Sequence, residues 1–268
     1  MPSNQEEDLG LDDMFPEDRP PSPEPTFAVY RRTDCEAREW KVIKIRLVGS
    51  HPLWGHYLWN AARSFASYLD AHPEFYAGRS VLELGAGGGL PGIVTAKNAA
   101  SLVVLTDYPD SVLIDNLEHN VKENVSPSDQ QHVSVAGYIW GHSVKPLTDL
   151  LPHSETAYDL IILSDLIFNH SQHEALLDTC ESALARSHAG EANVVGDAPG
   201  YSPPAVLVFY THHRPHLAHK DLQFFDLARS RSWTCVKVLT ETFPPMFPDD
   251  PGEESVRSTV HGWKLTRQ

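Results

Sequence analysis

The sequence predicts an α/β fold, a doubly wound and mostly parallel sheet with an antiparallel C-terminal strand. Three observations carry this reading. Between residues 80 and 212, short unbroken apolar runs alternate with amphipathic segments; the first run enters a glycine-rich turn; and the last two runs of the chain have no helix between them. Strands of a parallel sheet read as continuous apolar runs because helices cover both of its faces. With 268 residues, 41% of them hydrophobic, the chain has the material for one full core with decorations.

Residues 1–25 read as a disordered, acidic, proline-rich tail, since acids from Glu6 to Glu24 face a single Arg19 and little apolar surface offsets the entropy of ordering. Residues 26–77 are expected to form two short strands, FAVYRR and WKVIKIRLVG, and a helix, together capping the site. In WGHYLWNAARSFASYLDAH, Trp54, Leu58, Ala61, Ala62, Phe65 and Leu69 fall on one stripe at helical spacing. The core, residues 78–268, then runs SVLELG (strand), GIVTAKNAA (helix), SLVVLTD (strand), SVLIDNLEHNVKEN (helix), HVSVAGY and YDLIILSD (strands), HEALLDTCESALAR (helix) and AVLVFYTH (strand). A helix, HLAHKDLQFFDLARSR, leads to the strands WTCVKVL and VRSTVHGWKLT, which only the proline-rich TFPPMFPDDPGEE joins, so they should pair antiparallel. Residues 187–204 are a loop by their Gly, Pro and Ser content. A parallel core that ends in this way resembles the seven-stranded, Rossmann-like fold of methyltransferases.

The formal net charge is −15, from 36 acidic and 21 basic residues. A grip on phosphates needs lysine and arginine clusters, so no nucleic-acid partner is expected and a basic protein or peptide suits the balance better. Cys35, Cys180 and Cys235 form no CxxC pair, which indicates neither a disulfide framework nor a zinc knuckle. No apolar run approaches the roughly 18 residues of a membrane span, and the N-terminus is acidic rather than basic-then-apolar. A cytoplasmic monomer with no membrane partner is expected.

The motif VLELGAGGGLPG carries the first chemistry. Glycines after a buried strand let the backbone approach a ligand, yet the spacing is no clean GxGxxG and no GKS or GKT follows. Glu83, inside the strand, makes ELGAGGG similar to the first motif of S-adenosylmethionine (SAM) methyltransferases, whose acid helps arrange the turn and the methionine amino group. Asp107 ends the next strand, where a carboxylate accepts hydrogen bonds from both ribose hydroxyls of an adenosine; alternatively it caps the following helix, for which Asp110 is the better placed residue. Trp140, after the third strand, either stacks on adenine, worth roughly 1–3 kcal/mol, or closes the core. The fourth strand ends at Ser164 and Asp165, where a parallel sheet puts its ligand crevice. Methyl transfer to an amine mainly requires alignment. Asp165 and Asn169 would hold the amine's N–H groups and His170 would accept a proton or orient them; helix capping is the plainer role for this stretch.

Together, LVGSHPLWGHYLWNAAR, VLELGAGGGLPG, LTDYPD with LIDNLEHNV, and ILSDLIFNHSQH resemble the fungal protein N-terminal and lysine methyltransferases of translation elongation factor 1-alpha, a family once labelled nicotinamide N-methyltransferase. The similarity spans about Arg46 to His173 and, more loosely, the last strands. It implies SAM contacts at Trp59, Gly85, Ala86, Gly87, Asp107, Trp140 and Ser164, and methylation of the substrate's N-terminal glycine and adjacent lysine. Asn169 stands where the wider group often has an aromatic residue, which favours the N-terminus-modifying branch. An α-amine, with a reference pKa near 8 against about 10.4 for lysine, offers far more neutral nucleophile at neutral pH. A small-molecule N-methyltransferase for nicotinamide is the alternative. A silent SAM-binding module and an NAD(P) oxidoreductase fit less well, given the polar strand end and the imperfect glycine fingerprint.

The stretch GSHPLWGHYLWN, Gly49–Asn60, invites a metal reading, but His51 and His56 flank a proline and a glycine with no carboxylate at ligand spacing. No metal is expected. His51 and Trp54 are instead expected to face the acceptor amine.

Overall fold

The computed structural model describes residues 23–33, 40–53, 55–186 and 202–267. The expected tail up to residue 22, Trp54, and the expected loop over residues 187–201 lie outside the described residues. A separate hairpin comes first, with β1 (Thr26–Arg31) antiparallel to β2 (Val42–Leu47). The main sheet comprises β3 (Ser80–Leu84), β4 (Leu102–Asp107), β5 (Val133–Gly137), β6 (Leu160–Ser164), β7 (Ala205–Thr211), β8 (Thr234–Thr242) and β9 (Thr259–Thr266). Its order is β5-β4-β3-β6-β7-β9-β8, with β3 to β7 parallel and β9 antiparallel to both neighbours. The helices are α1 (Asn60–Ala71), α2 (Leu90–Lys97), α3 (Ser111–Asn124), α4 (Lys145–Thr148), α5 (His173–Ala183), α6 (Ala218–Ser230) and α7 (Glu254–Arg257). The expected α/β class and the antiparallel ending are what the structure has.

Alternation along each strand divides the core into two layers. Val81, Val103, Leu105, Ile162, Leu207 and Phe209 face α1, α2, α3 and the hairpin. Leu82, Leu84, Val104, Ile161, Leu163 and Val208 face α5 and α6. On the first face, Phe65 of α1 stacks on Phe209 with ring centroids 4.1 Å apart, a pair worth about 0.5–1.5 kcal/mol beyond its buried area.

The helix expected from Trp54 starts six residues later, at Asn60. Gly55 lowers helix propensity there, and ring contacts claim the segment instead: Tyr57 lies 4.3 Å from His56 and 5.3 Å from Trp59 between centroids. Trp59 is left extended (φ −65°, ψ 147°) as the residue before the helix. Leu58, Ala61, Ala62, Phe65 and Leu69 are nevertheless all buried. The last strand also starts later than expected, because residues 254–257 form the single turn α7.

The hairpin is fastened to the core by side-chain amides. Asn120 of α3 accepts from Arg46 N (2.8 Å) and donates to Arg46 O (2.8 Å). One helical turn on, Asn124 does the same with Lys44 N (3.0 Å) and Lys44 O (2.9 Å). Asn120 also donates to Gly88 O at 3.1 Å, joining hairpin, helix and glycine turn. At the hairpin's other end, buried Arg32 binds Asp70 of α1 through two nitrogens and donates to Asn98 Oδ1 at 2.9 Å.

Strand order also fixes where a ligand goes. After β3 the chain moves outward to β4 and β5, then returns to β6 on the other side of β3. Such a reversal opens a crevice beyond the carboxyl ends of the two central strands.

Candidate active site

The glycine turn lies at the end of β3. Gly85 (φ 59°) has no room for a side chain, because a Cβ there would stand 2.7 Å from Leu166 and 3.0 Å from Trp140. Gly87 (φ 55°) has nothing within 4 Å of its Cβ position and opens onto empty space. Asp107 clasps this turn to the end of β4: Oδ2 accepts from Gly87 N and Oδ1 from Tyr108 N, both at 2.7 Å. Burial raises the Asp107 pKa against these two N–H groups and the nearby His51.

Glu83 sits beneath the turn, fully buried. Its Oε2 accepts from Gly92 N (2.8 Å) in the first turn of α2, while Oε1 has no partner. Burial pushes its pKa up to about 8, with Asp107 adding to the rise and the Gly92 bond opposing it. Glu83 thus braces the turn from below rather than standing on its open side.

A cavity of about 560 Å³ occupies the crevice. The glycine turn, Asp107, Tyr108 and Trp140 form its wall toward β4 and β5; Trp59, Ser164, Asp165, Phe168, Asn169 and Arg214 form the wall toward β6 and β7. Of the residues singled out in the sequence, Trp59, Gly85, Ala86, Gly87, Asp107, Trp140, Ser164, Asp165 and Asn169 share this one cavity.

Two do not. His51 belongs to the adjoining groove, where Nδ1 accepts from Leu53 N (3.1 Å) and Nε2 lies 3.5 Å from Asp110, on the β4 side and away from Asp165. His170 is captured by α6: its Nε2 is 2.6 Å from Oδ1 of buried Asp221, whose Oδ2 is 2.6 Å from His212 Nδ1. Trp54 is not described. Although histidines converge here, no group of three or more His, Cys, Asp or Glu among the described residues is placed to hold a metal ion.

Asp165 is the most constrained residue of the site. It is 5% exposed and has a left-handed backbone (φ 60°), which costs a non-glycine residue about 1–3 kcal/mol and persists only where surroundings enforce it. Phe209 O accepts from its N–H (2.7 Å), Thr211 N donates to Oδ1 (3.2 Å), and His213 Nε2 lies 2.9 Å from Oδ2. Sequence reasoning missed His213 and Asp221. The signal for the first was present: the paired histidines of THHRPH follow the fifth parallel strand, at the same crevice.

Fold and cavity together define a seven-stranded α/β methyltransferase. A family model described as "Lysine methyltransferase" matches residues 41–194, and the chain belongs to that family. It is 47% identical over 276 residues to "Protein N-terminal and lysine N-methyltransferase EFM7" of Cryptococcus neoformans var. neoformans serotype D (strain B-3501A), covering 99% of this chain and 91% of that one. The protein of the same name from Schizosaccharomyces pombe is 43% identical over 267 residues, covering 99% and 98%. Among solved structures, a putative SAM-dependent methyltransferase from Streptococcus mutans has the same fold, with a TM-score of 0.52 at 12% identity over 83% of this chain and 53% of that one.

Proposed function

We propose that this protein is a SAM-dependent methyltransferase that modifies the N-terminal glycine and adjacent lysine of translation elongation factor 1-alpha, acting in the cytoplasm as a monomer. The observation that carries the reading is a single cavity that joins a glycine turn and a strand-end acid to a second, buried acid on the next central strand. The residues present fit the cofactor. Ser164 Oγ is buried on the wall without a hydrogen-bond partner, Gly87 leaves its side-chain space open, and the volume suits a ligand of this size, for which pockets of about 300–1,000 Å³ are usual. Bound there, SAM supplies an electrophilic methyl group on a sulfonium centre.

The chain's own residues then hold and orient. Asp107 retains lone pairs for ribose hydroxyls beside the two backbone bonds it already accepts. Trp140 offers an apolar face near the turn. Asp165 and Asn169 face the cavity where an acceptor amine must approach, and the Asp165 carboxylate draws the amine's N–H groups into line. His170, bonded to Asp221, supports this wall from outside the cavity. The near full-length relatives named for N-terminal and lysine methylation support a protein substrate, and the charge of −15 favours a cationic one.

The test is incubation with methyl-labelled SAM and either a peptide carrying the elongation factor's N-terminal glycine and lysine or nicotinamide. Mass spectrometry should place label on the glycine α-amine and the lysine. Label in nicotinamide alone would overturn the reading.

A further inference from the structure

His213 follows β7, its side chain 18% exposed, and makes two contacts of different kinds. Its Nε2 lies 2.9 Å from Asp165 Oδ2, and its ring rests on Trp59 with centroids 4.7 Å apart at 59°. Asp165 and Trp59 reach the cavity from different elements, one after β6 and one before α1, whereas His213 itself is not on the cavity wall. We propose that His213 is a positioning residue for the acceptor end of the cavity, joining the carboxylate of Asp165 and the indole of Trp59 into one unit. This rests on the methyltransferase reading above.

The two contacts need the same ring. Asp165 is a buried carboxylate whose other fixed donor is a single 3.2 Å bond from Thr211 N; without His213 its Oδ2 would lose its bond and the side chain would be free to turn toward water. Trp59 is extended and has no side-chain capping bond. Rings hold it: Tyr57 at 5.3 Å, Phe247 at 6.1 Å and, nearest, His213. A charged imidazole both pairs with the carboxylate and is attracted to the indole.

The surroundings favour that charge. Burial works against it, but the charge and hydrogen bond of Asp165, with the more distant Asp221, outweigh burial and Arg214 and hold His213 above the ordinary histidine value. Neighbouring His212 and His170 are both bonded to Asp221, which leaves Asp165 to His213.

The test starts with the ligand-free full chain, so that it depends on no substrate. Histidine side-chain and tryptophan indole N–H signals are followed by NMR from about pH 5 to about 9. The Trp59 indole should shift with the His213 midpoint, D165N should lower that midpoint, and H213Q should abolish the Trp59 shift. A Trp59 signal flat with pH, or a His213 midpoint indifferent to D165N, overturns the proposal. In turnover of the cationic peptide, H213Q keeps a donor without the charge and should lower kcat about tenfold, and H213A about a hundredfold. Affinity for S-adenosylhomocysteine by calorimetry should fall by a smaller factor than kcat, since Trp59 is on the same wall but the glycine turn and Asp107 are held by their own bonds. Wild-type kcat in H213Q overturns the proposal even if H213A fails to fold. If the wild-type protein turns over no peptide, the functional reading fails, while the NMR series still decides whether His213 links the two residues.

Discussion

Asp107 has two duties that a substitution would separate. It already accepts two backbone N–H groups that fold the glycine turn, and it offers its free lone pairs to the cavity. Asp107→Ala should therefore abolish measurable SAM binding in calorimetry and lower the melting temperature, since the turn loses two charge-assisted bonds, each worth about 1.5–3 kcal/mol. Unchanged affinity would move the cofactor elsewhere. Asp165→Ala, by contrast, should leave SAM affinity intact and lower turnover. Glu83 gives a prediction of the opposite sign in stability. Its folded pKa is raised from 4.5 to about 8, so the folded state binds this proton more tightly, and the benefit present below the unfolded value is lost as pH rises toward 8. Glu83→Gln removes that loss. Its advantage in melting temperature over wild type should grow between about pH 5 and 8, by at most about 1.4 kcal/mol per pH unit; a constant difference would show that Glu83 is ionised throughout.

At the level of elements, α3 shows what the sequence could and could not reveal. Its start was legible because Asp110 has the chemistry of a cap, and Asp110 Oδ1 accepts from Val112 N at 2.8 Å. Asp110→Ala should cost about 1 kcal/mol in denaturant unfolding. Its asparagines gave no such signal, for Asn120 meets Arg46 from 74 residues away. Asn120→Ala removes bonds to Arg46 and to Gly88 O, and should cost about 1–3 kcal/mol, with hairpin amides exchanging faster than those of β4. The sheet was readable because buried parallel strands are unbroken apolar runs and glycine marks the first turn. Periodicity misplaced the start of α1 because Leu58 remains buried in a segment held by rings rather than by helical bonds. Asp165 and Asn169 could be singled out from a strand end alone. The partner of His170 could not, since nothing local points to Asp221 on α6.

For the whole molecule, charge and proton linkage set the behaviour. With a net charge of −15, attraction for a cationic peptide should weaken as salt shortens the Debye length from about 10 Å at 0.1 M to about 3 Å at 1 M; KM for the peptide should rise with salt while that for SAM changes little. Acid should act through histidines whose surroundings disfavour the charge, half-buried His261 above all. His261 is lowered from 6.5 to about 4 by burial, then by Lys237 and His212, and its Nδ1 has no partner. A histidine with a depressed folded value contributes stability above its unfolded value and loses it as pH falls toward 4. His261→Gln should flatten the acid limb of a melting curve recorded across that window. His213 has the reverse sign, its contribution fading as pH rises through its raised value.

Strand order also governs how the chain is made. β9 follows β8 in sequence yet lies between β7 and β8, so neither β8 nor the free edge of β7 has its sheet partner until β9 has been synthesised. Every residue of β7 is buried in the finished fold, and an unpaired apolar edge is a template for association. At roughly 5–20 residues per second, the stretch from Thr211 to Thr259 keeps that edge open for several seconds on the ribosome. The nascent chain is most exposed to misassembly in that interval, when the cavity wall, which runs from Pro52 to Arg214, has already been translated.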